Sequence, residues 1–337
     1  MIKELEIRKS FLPKVDTIYI GGGTPSLLTK EELESLFNEI HAHYSIPSEI
    51  EITLEANPDD ITTNTLEIWR SVGINRLSIG CQTFDNECLA KLNRIHQSET
   101  SVASFQLARE KGFNNISIDL MFGLPGQTSI IWENDLKIAC SLRPEHISAY
   151  GLTIENKTVF GNQFQKGLLV VPNENEQAEY YEKMMLVLEE NGYEQYEISN
   201  FCLPQHPSKH NSSYWEQETY LGIGPSAHSF DGEQRMWNHS NNILYIKGVE
   251  STGTAYTSET LSVTDRTHEY ILTTLRTKKG TNINKLITEF NYPLKKLNEI
   301  SSVLLNNGWI NTDNGQIKLT KSGKLLADEI TLKFFLY

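Results

Sequence analysis

The chain has 337 residues, 39% of them apolar and 22% charged, with a formal net charge of −13. That is enough for one large domain with an appendage or for two domains, and the acidic balance argues against general affinity for nucleic acid. No uninterrupted apolar stretch approaches the length of a membrane span, and the N-terminal "MIKELEIRKSF" has no apolar signal core, so a cytoplasmic protein is expected.

In chain order, Val15 to Ile20 reads as a buried strand, followed at once by three glycines. A helix starts at Thr29, where Thr29 and Glu32 form a capping box and Leu33, Leu36, Phe37 and Ile40 share one face. Further β-rich runs stand at "EIEITLEA", "NRLSIG", "NISIDLMFG" and "EHISAYGL". Helical patterns lie between them. One runs through Leu66, Ile68 and Trp69 to a stop at Gly73, "SETSVASFQLAREKG" opens on capping serines and stops at Gly112, and "TSIIWENDLKIACSL" follows. Near-continuous apolar strands joined through helices predict a parallel sheet, and five such units in about 150 residues suit an incomplete (β/α) barrel. Another helix spans Asn173 to Gly192, and a loop-rich stretch runs from Phe201 to Ser240. After about Thr257, three helical segments precede a hairpin around Asn314-Gly315, a winged-helix-like arrangement. The expected domains are residues 1–200, 201–256 and 257–337.

In parallel α/β architectures ligands bind where strands finish. The first strand ends at Gly21 to Pro25, where missing Cβ atoms let a ligand touch backbone. The second ends at Glu55, the third at Gln82 with Arg94 a helix further on, and the fourth carries Asp119 before "GLPGQT". The fifth ends at Tyr150 to Thr153. Backbone carbonyls accept from an ammonium, Arg94 grips a carboxylate, and Glu55, Gln82 and Asp119 suit a ribose diol: an amino-acid head joined to a nucleoside. Neither a G-x-G-x-x-G after a strand nor a P-loop lysine is present. Taken singly, the glycines could be a turn and Glu55 or Arg94 a surface ion-pair residue; five strand ends in register favour one shared site.

"IYIGGGTPSLL", "EITLEANPDD", "INRLSIGCQTFD", "LNRIH", "ISIDLMFGLPGQT", "HISAYGLTIE" and "YEISNF" resemble the oxygen-independent coproporphyrinogen III oxidase-like branch of the radical S-adenosylmethionine (SAM) proteins, over nearly the whole chain. The resemblance implies a partial (β/α)6 barrel with a C-terminal winged-helix-like domain, and SAM across the strand ends beside a [4Fe–4S] cluster. By motif, Gly22, Gly23 and Thr24 meet the methionine part and Arg94 its carboxylate. Glu55, Gln82 and Asp119 line the remaining polar contacts, and Thr153 the nucleoside side. One departure stands out. The family holds its cluster in a C-x3-C-x2-C loop on a strand before the glycine strand, and the sequence opens too close to that strand to contain it. Cys81, Cys88, Cys140 and Cys202 have neither that spacing nor that of a disulfide framework. A barrel lacking its first strand and cluster loop is expected, without cluster ligands and without reductive cleavage of SAM. The edge so exposed invites self-association, making a homodimer a candidate assembly.

Within this family, one branch decarboxylates coproporphyrinogen III and another resembles heme chaperones that hand heme to respiratory proteins. The second carries H-N-x-x-Y-W, matched by His210-Asn211-Ser212-Ser213-Tyr214-Trp215. The resemblance implies heme binding by His210, Asn211, Tyr214 and Trp215, and heme-accepting proteins as partners; the residues alone read better as a backbone-satisfied loop histidine with two aromatics packed on the barrel rim. Coproporphyrinogen III oxidation is the alternative function. A winged-helix regulator of nucleic acid is a third, poorly supported by the single lysine of "NINKLITEF". Cys202, His206 and His210 recur every four residues, but Pro204 and Pro207 forbid one continuous helix. His228 in "GIGPSAHSF" reads as a packed ring in a glycine-framed turn.

Overall fold

One sheet carries the strand ends: β1 (Thr17–Ile20), β2 (Glu51–Ala56), β3 (Arg76–Gln82), β4 (Ile116–Phe122), β5 (His146–Gly151), β6 (Glu194–Glu197) and β7 (Asn200–Cys202), in the order β1-β2-β3-β4-β5-β7-β6. The computed structural model describes residues 1–12, 14–155 and 157–336. They form two units, one of Tyr19–Leu28 and Glu51–Ser208, the other of Met1–Ile18, Thr29–Ile50 and Lys209–Tyr337.

Strands β2 to β5 run parallel, as the strand–helix alternation predicts. The sheet then closes on β7 and β6, both antiparallel to their neighbours. This hairpin has no counterpart in the sequence reading, because strands of four and three residues carry no measurable period. The strands also differ from the near-continuous apolar runs expected. Along β4, Ile116, Ile118, Leu120 and Phe122 are buried on one face, while Ser117 and Asp119 alternate with them. The polar face is paired rather than bare. Ser78 donates to Asp119 at 3.0 Å, Ser117 lies 2.8 Å from His146 Nδ1, and Ser148 donates to Asn200 at 3.0 Å. A strand buried on both sides tolerates polar residues where such partners stand on the next strand.

The helix Lys30–His43 begins with the predicted capping box of Thr29 and Glu32. The helix Ser98–Glu110 departs from expectation: its N-cap is Gln97, without a side-chain cap. Asn86 Oδ1 instead accepts the Ser98 N–H at 2.8 Å, so a preceding turn satisfies the helix end.

In the other unit, Leu5, Leu36, Ile40 and Tyr44 form a core against which Val15, Ile18, Leu221 and Ile223 pack. Beside it Glu4 is buried, accepting from the Gly224 N–H at 2.9 Å, Asn238 Nδ2 at 2.8 Å and the Tyr245 hydroxyl at 2.5 Å. Arg8 lies 3.6 Å from the same carboxylate and between the rings of Phe11 and Tyr256. The stretch expected to be loop-rich contains a helix, Lys209–Trp215, and strands β8 (His228–Phe230) and β9 (Gln234–Asn238); β9 pairs with β8 on one side and with β10 (Tyr256–Thr260) on the other. Further on, β11 (Thr281–Asn282), β12 (Ile310–Asp313) and β13 (Gln316–Leu319) form the wing. Its hairpin turns at Asn314 and Gly315, with φ of 49° and 74°, as the Asn-Gly signal predicts.

Candidate functional site

The glycine turn is built by its neighbours. A Cβ on Gly21 would fall 2.6 Å from the Tyr19 ring and 2.8 Å from Glu55 Oε1, so only glycine fits there. Gly22 and Gly23 take left-handed φ of 77° and 68°, are exposed, and have open space where a Cβ would stand. Backbone N–H and C=O groups are thereby offered to a ligand, with Thr24 exposed beside them. Glu55 braces the turn: the Tyr19 hydroxyl donates to it at 2.7 Å and the Gly22 N–H at 3.1 Å. Burial, with the carboxylates of Glu55 and Asp119 beside it, raises the Tyr19 phenol far above its ordinary range, so Tyr19 stays a donor.

Asp119 sits half-buried two strands away. Burial pushes its carboxyl up to about 6; Ser78's hydrogen bond and the Arg76 charge oppose the shift, and Glu55 adds to it. Gln82 ends β3 with a φ of 66°, and a Cβ on Gly80 would fall 2.9 Å from its Nε2. The Arg94 guanidinium donates to Asn57 Oδ1 at 2.9 Å, at the exit of β2. Thr153 lies exposed just past β5. Glu55, Gly22 and Asp119 are thus brought close, Gln82 and Arg94 stand at neighbouring strand exits, and Thr153 has no described hydrogen bond to any of them.

A clamp beneath these loops was not anticipated. Asp135, on the helix Ser129–Leu142, accepts from the Thr83 hydroxyl at 2.8 Å, the Phe84 N–H at 2.7 Å and Gln127 Nε2 at 3.3 Å. Gln127 in turn accepts from the Leu124 N–H at 3.2 Å, tying the β4 exit to the β3 exit. The signal was present: Asp135 shares the buried helix face with Trp132, Leu136 and Ala139. Tyr19 and Asn57 were also missed. Both stand inside quoted motifs, but their partners are 36 and 37 residues away.

The H-N-x-x-Y-W segment forms the short helix Lys209–Trp215 rather than a loop. Helical spacing puts His210 and Tyr214 in edge-on contact, ring centroids 5.0 Å apart, and Tyr214 in turn meets Tyr220 at 4.7 Å. His210 is half-buried; its Nδ1 lies 2.8 Å from Thr17 Oγ1 and its Nε2 3.1 Å from the Tyr214 hydroxyl. Asn211 is half-buried on the same helix. The Trp215 indole N–H is buried without a hydrogen-bond partner among the described residues, and the Arg276 guanidinium stands 5.9 Å from that ring while pairing with Asp328. Burial pushes the Tyr214 phenol up to about 12. His228, expected as a packed ring, is exposed on β8 because its strand end faces outward beside Trp237.

A cavity of about 410 Å³ opens at the opposite ends of the strands, among Arg70, Asn75, Phe113, Asn115 and His206. The predicted ligand residues do not line it.

The sheet is curled and mostly parallel, as in the radical SAM half-barrel, and residues 1–137 match the Radical SAM superfamily. Coproporphyrinogen III oxidase (HemN) from Escherichia coli shares the fold, with a TM-score of 0.86 over 100% of this chain and 82% of that one, at 23% identity. The Heme chaperone HemW of Bacillus subtilis (strain 168) is 40% identical over 328 residues, 96% of this chain and 86% of the relative. That of Lactococcus lactis subsp. lactis (strain IL1403) is 36% identical over 98% of this chain and 87% of the relative. The chain belongs to this heme-chaperone family of the radical SAM superfamily.

Superfamily membership implies SAM and a [4Fe–4S] cluster. The open glycine backbone beside two carboxylates fits the cationic nucleoside. A cluster finds no fit among the described residues, where no group of three His, Cys, Asp or Glu side chains could hold a metal ion. Burial pushes the thiols of Cys88 and Cys140 up to about 12 and about 11, the reverse of a thiolate ligand. No helix among the described residues is long and apolar enough to cross a membrane.

Proposed function

We propose that this chain binds heme through the His210–Trp215 helix and delivers it to heme-dependent proteins, with SAM held at the strand ends of the half-barrel. What carries the heme reading is the half-buried His210 imidazole, flanked by the edge-on ring of Tyr214 and backed by Tyr220. An imidazole ligates iron, and the aromatic row covers an apolar macrocycle. Arg276 beside Trp215 supplies positive charge for a propionate. Ferric heme titration of the full chain tests it. His210→Ala should bind heme at least about tenfold more weakly and lose the histidine-ligated absorption spectrum. An unchanged spectrum in that variant would exclude His210 as the ligand.

At the strand ends, Gly22 and Gly23 receive the methionine part, Arg94 its carboxylate, and Glu55, Gln82 and Asp119 the remaining polar groups, with Thr24 and Thr153 at the rim. SAM supplies a sulfonium cation there, and the ionised form of Asp119 is the one that attracts it. With a carboxyl pKa of about 6, the ionised fraction rises from roughly a tenth at pH 5 to roughly nine-tenths at pH 7. SAM affinity, measured by calorimetry, should therefore rise up to about tenfold across that interval and stay flat in Asp119→Asn. A flat wild-type profile would remove Asp119 from the site.

A further inference from the structure

His210 is held at both ring nitrogens, and the two contacts differ in kind. Nδ1 lies 2.8 Å from Thr17 Oγ1 on β1, a short side chain fixed by its strand. Nε2 lies 3.1 Å from the hydroxyl of Tyr214, one helical turn away on the same seven-residue helix and 38% exposed. A ring nitrogen that binds iron must present a bare lone pair, and the other nitrogen must then carry the proton. Only Nε2 has a partner that can leave by rotating into solvent. Thr17, β-branched and half-buried on its strand, is stiff at χ1, and its hydroxyl oxygen is placed to accept the Nδ1–H that ligation requires.

We infer that Tyr214 is a displaceable cap over the iron-binding Nε2 of His210, and that Thr17 is a positioning residue that fixes the imidazole's orientation and tautomer. On heme binding the Nε2 lone pair passes from the Tyr214 O–H to iron, the phenol rotates away, and Nδ1–H keeps donating to Thr17 Oγ1. The Tyr214 ring is then released to lie against the macrocycle beside Tyr220. A cargo protein needs its ligand site closed when empty and openable without unfolding, and one partly exposed tyrosine on a short helix does this.

The inference rests on the heme reading above, and three variants of the full chain titrated with ferric protoporphyrin IX separate the two. Tyr214→Phe keeps the ring and loses the hydroxyl, so heme should bind about three- to tenfold more tightly and associate faster. Thr17→Val should bind about tenfold more weakly and shift the iron–histidine stretching band of the ferrous form, with Thr17→Ser restoring both. Weaker or unchanged binding in Tyr214→Phe overturns the cap, and a wild-type stretching band in Thr17→Val overturns the positioning role. If His210→Ala alone loses the histidine-ligated spectrum while the other variants match wild type, heme binding stands and this inference falls. If His210→Ala keeps that spectrum, both fall.

Discussion

Glu4→Ala lowers the stability of the chain by about 3–5 kcal/mol, read from urea unfolding at pH 7. The cause is what the truncation leaves behind. The Gly224 N–H, the Asn238 amide and the Tyr245 hydroxyl lose one buried acceptor together, and Arg8 keeps a buried charge without its carboxylate. Burial already holds the Arg8 guanidinium below its ordinary value, and Glu4 is the first of the groups that oppose this. Glu4→Gln preserves the shape but turns an amide N–H toward these donors, so most of the loss should persist. Glu299→Ala is the control, because its pair with Lys295, at 4.0 Å, is exposed at both ends; it should change stability by no more than about 0.5 kcal/mol. Equal losses at both sites would show that burial is not what gives Glu4 its weight.

The second large effect is at Asp135, where Asp135→Ala should cost about 3 kcal/mol at pH 7 by orphaning donors from Thr83, Phe84 and Gln127. Its pH dependence runs opposite to that of an ordinary ion-paired carboxylate. Burial pushes the folded carboxyl up to about 6, above the roughly 4 of an unfolded aspartate. A raised value means that the native state favours the protonated form, so this contribution is fully present below about pH 4 and is lost as pH rises through about 6. Asp135→Asn cannot ionise and escapes that loss. Its deficit against wild type should therefore shrink by about 2–3 kcal/mol between pH 4 and pH 7. A deficit constant with pH would show that the folded carboxyl ionises normally, and a neutral Asp135→Ala would dismiss the clamp.

The parts of the site that sequence exposed were those where one residue contradicts its surroundings. Three glycines closing a strand, Glu55 in "ITLEA" and Asp119 in "SIDLMF" each break a local pattern, and the structure sets them on β1, β2 and β4 of one sheet. Their supports were hidden because each is ordinary locally. Thr17 is a β-branched residue in a strand, and what makes it matter is an imidazole 193 residues later. Ser78, Asn57 and Tyr19 are likewise defined by their partners. The Lys209–Trp215 helix escaped notice for another reason: asparagine and two serines give it little intrinsic propensity, and its context decides its form. The family motif named its residues but not their conformation. The wing was legible almost throughout, because Asn314-Gly315 and the flanking alternation are local signals.

One unit gathers the first 18 residues with a segment that begins at Lys209. On a ribosome this order matters. Glu4 leaves the exit tunnel 241 residues before Tyr245, a wait of roughly ten to fifty seconds at bacterial elongation speeds. Leu5 meets Leu36, Ile40 and Tyr44 soon after they emerge, whereas the Glu4 carboxylate waits for the Gly224, Asn238 and Tyr245 donors that bury it.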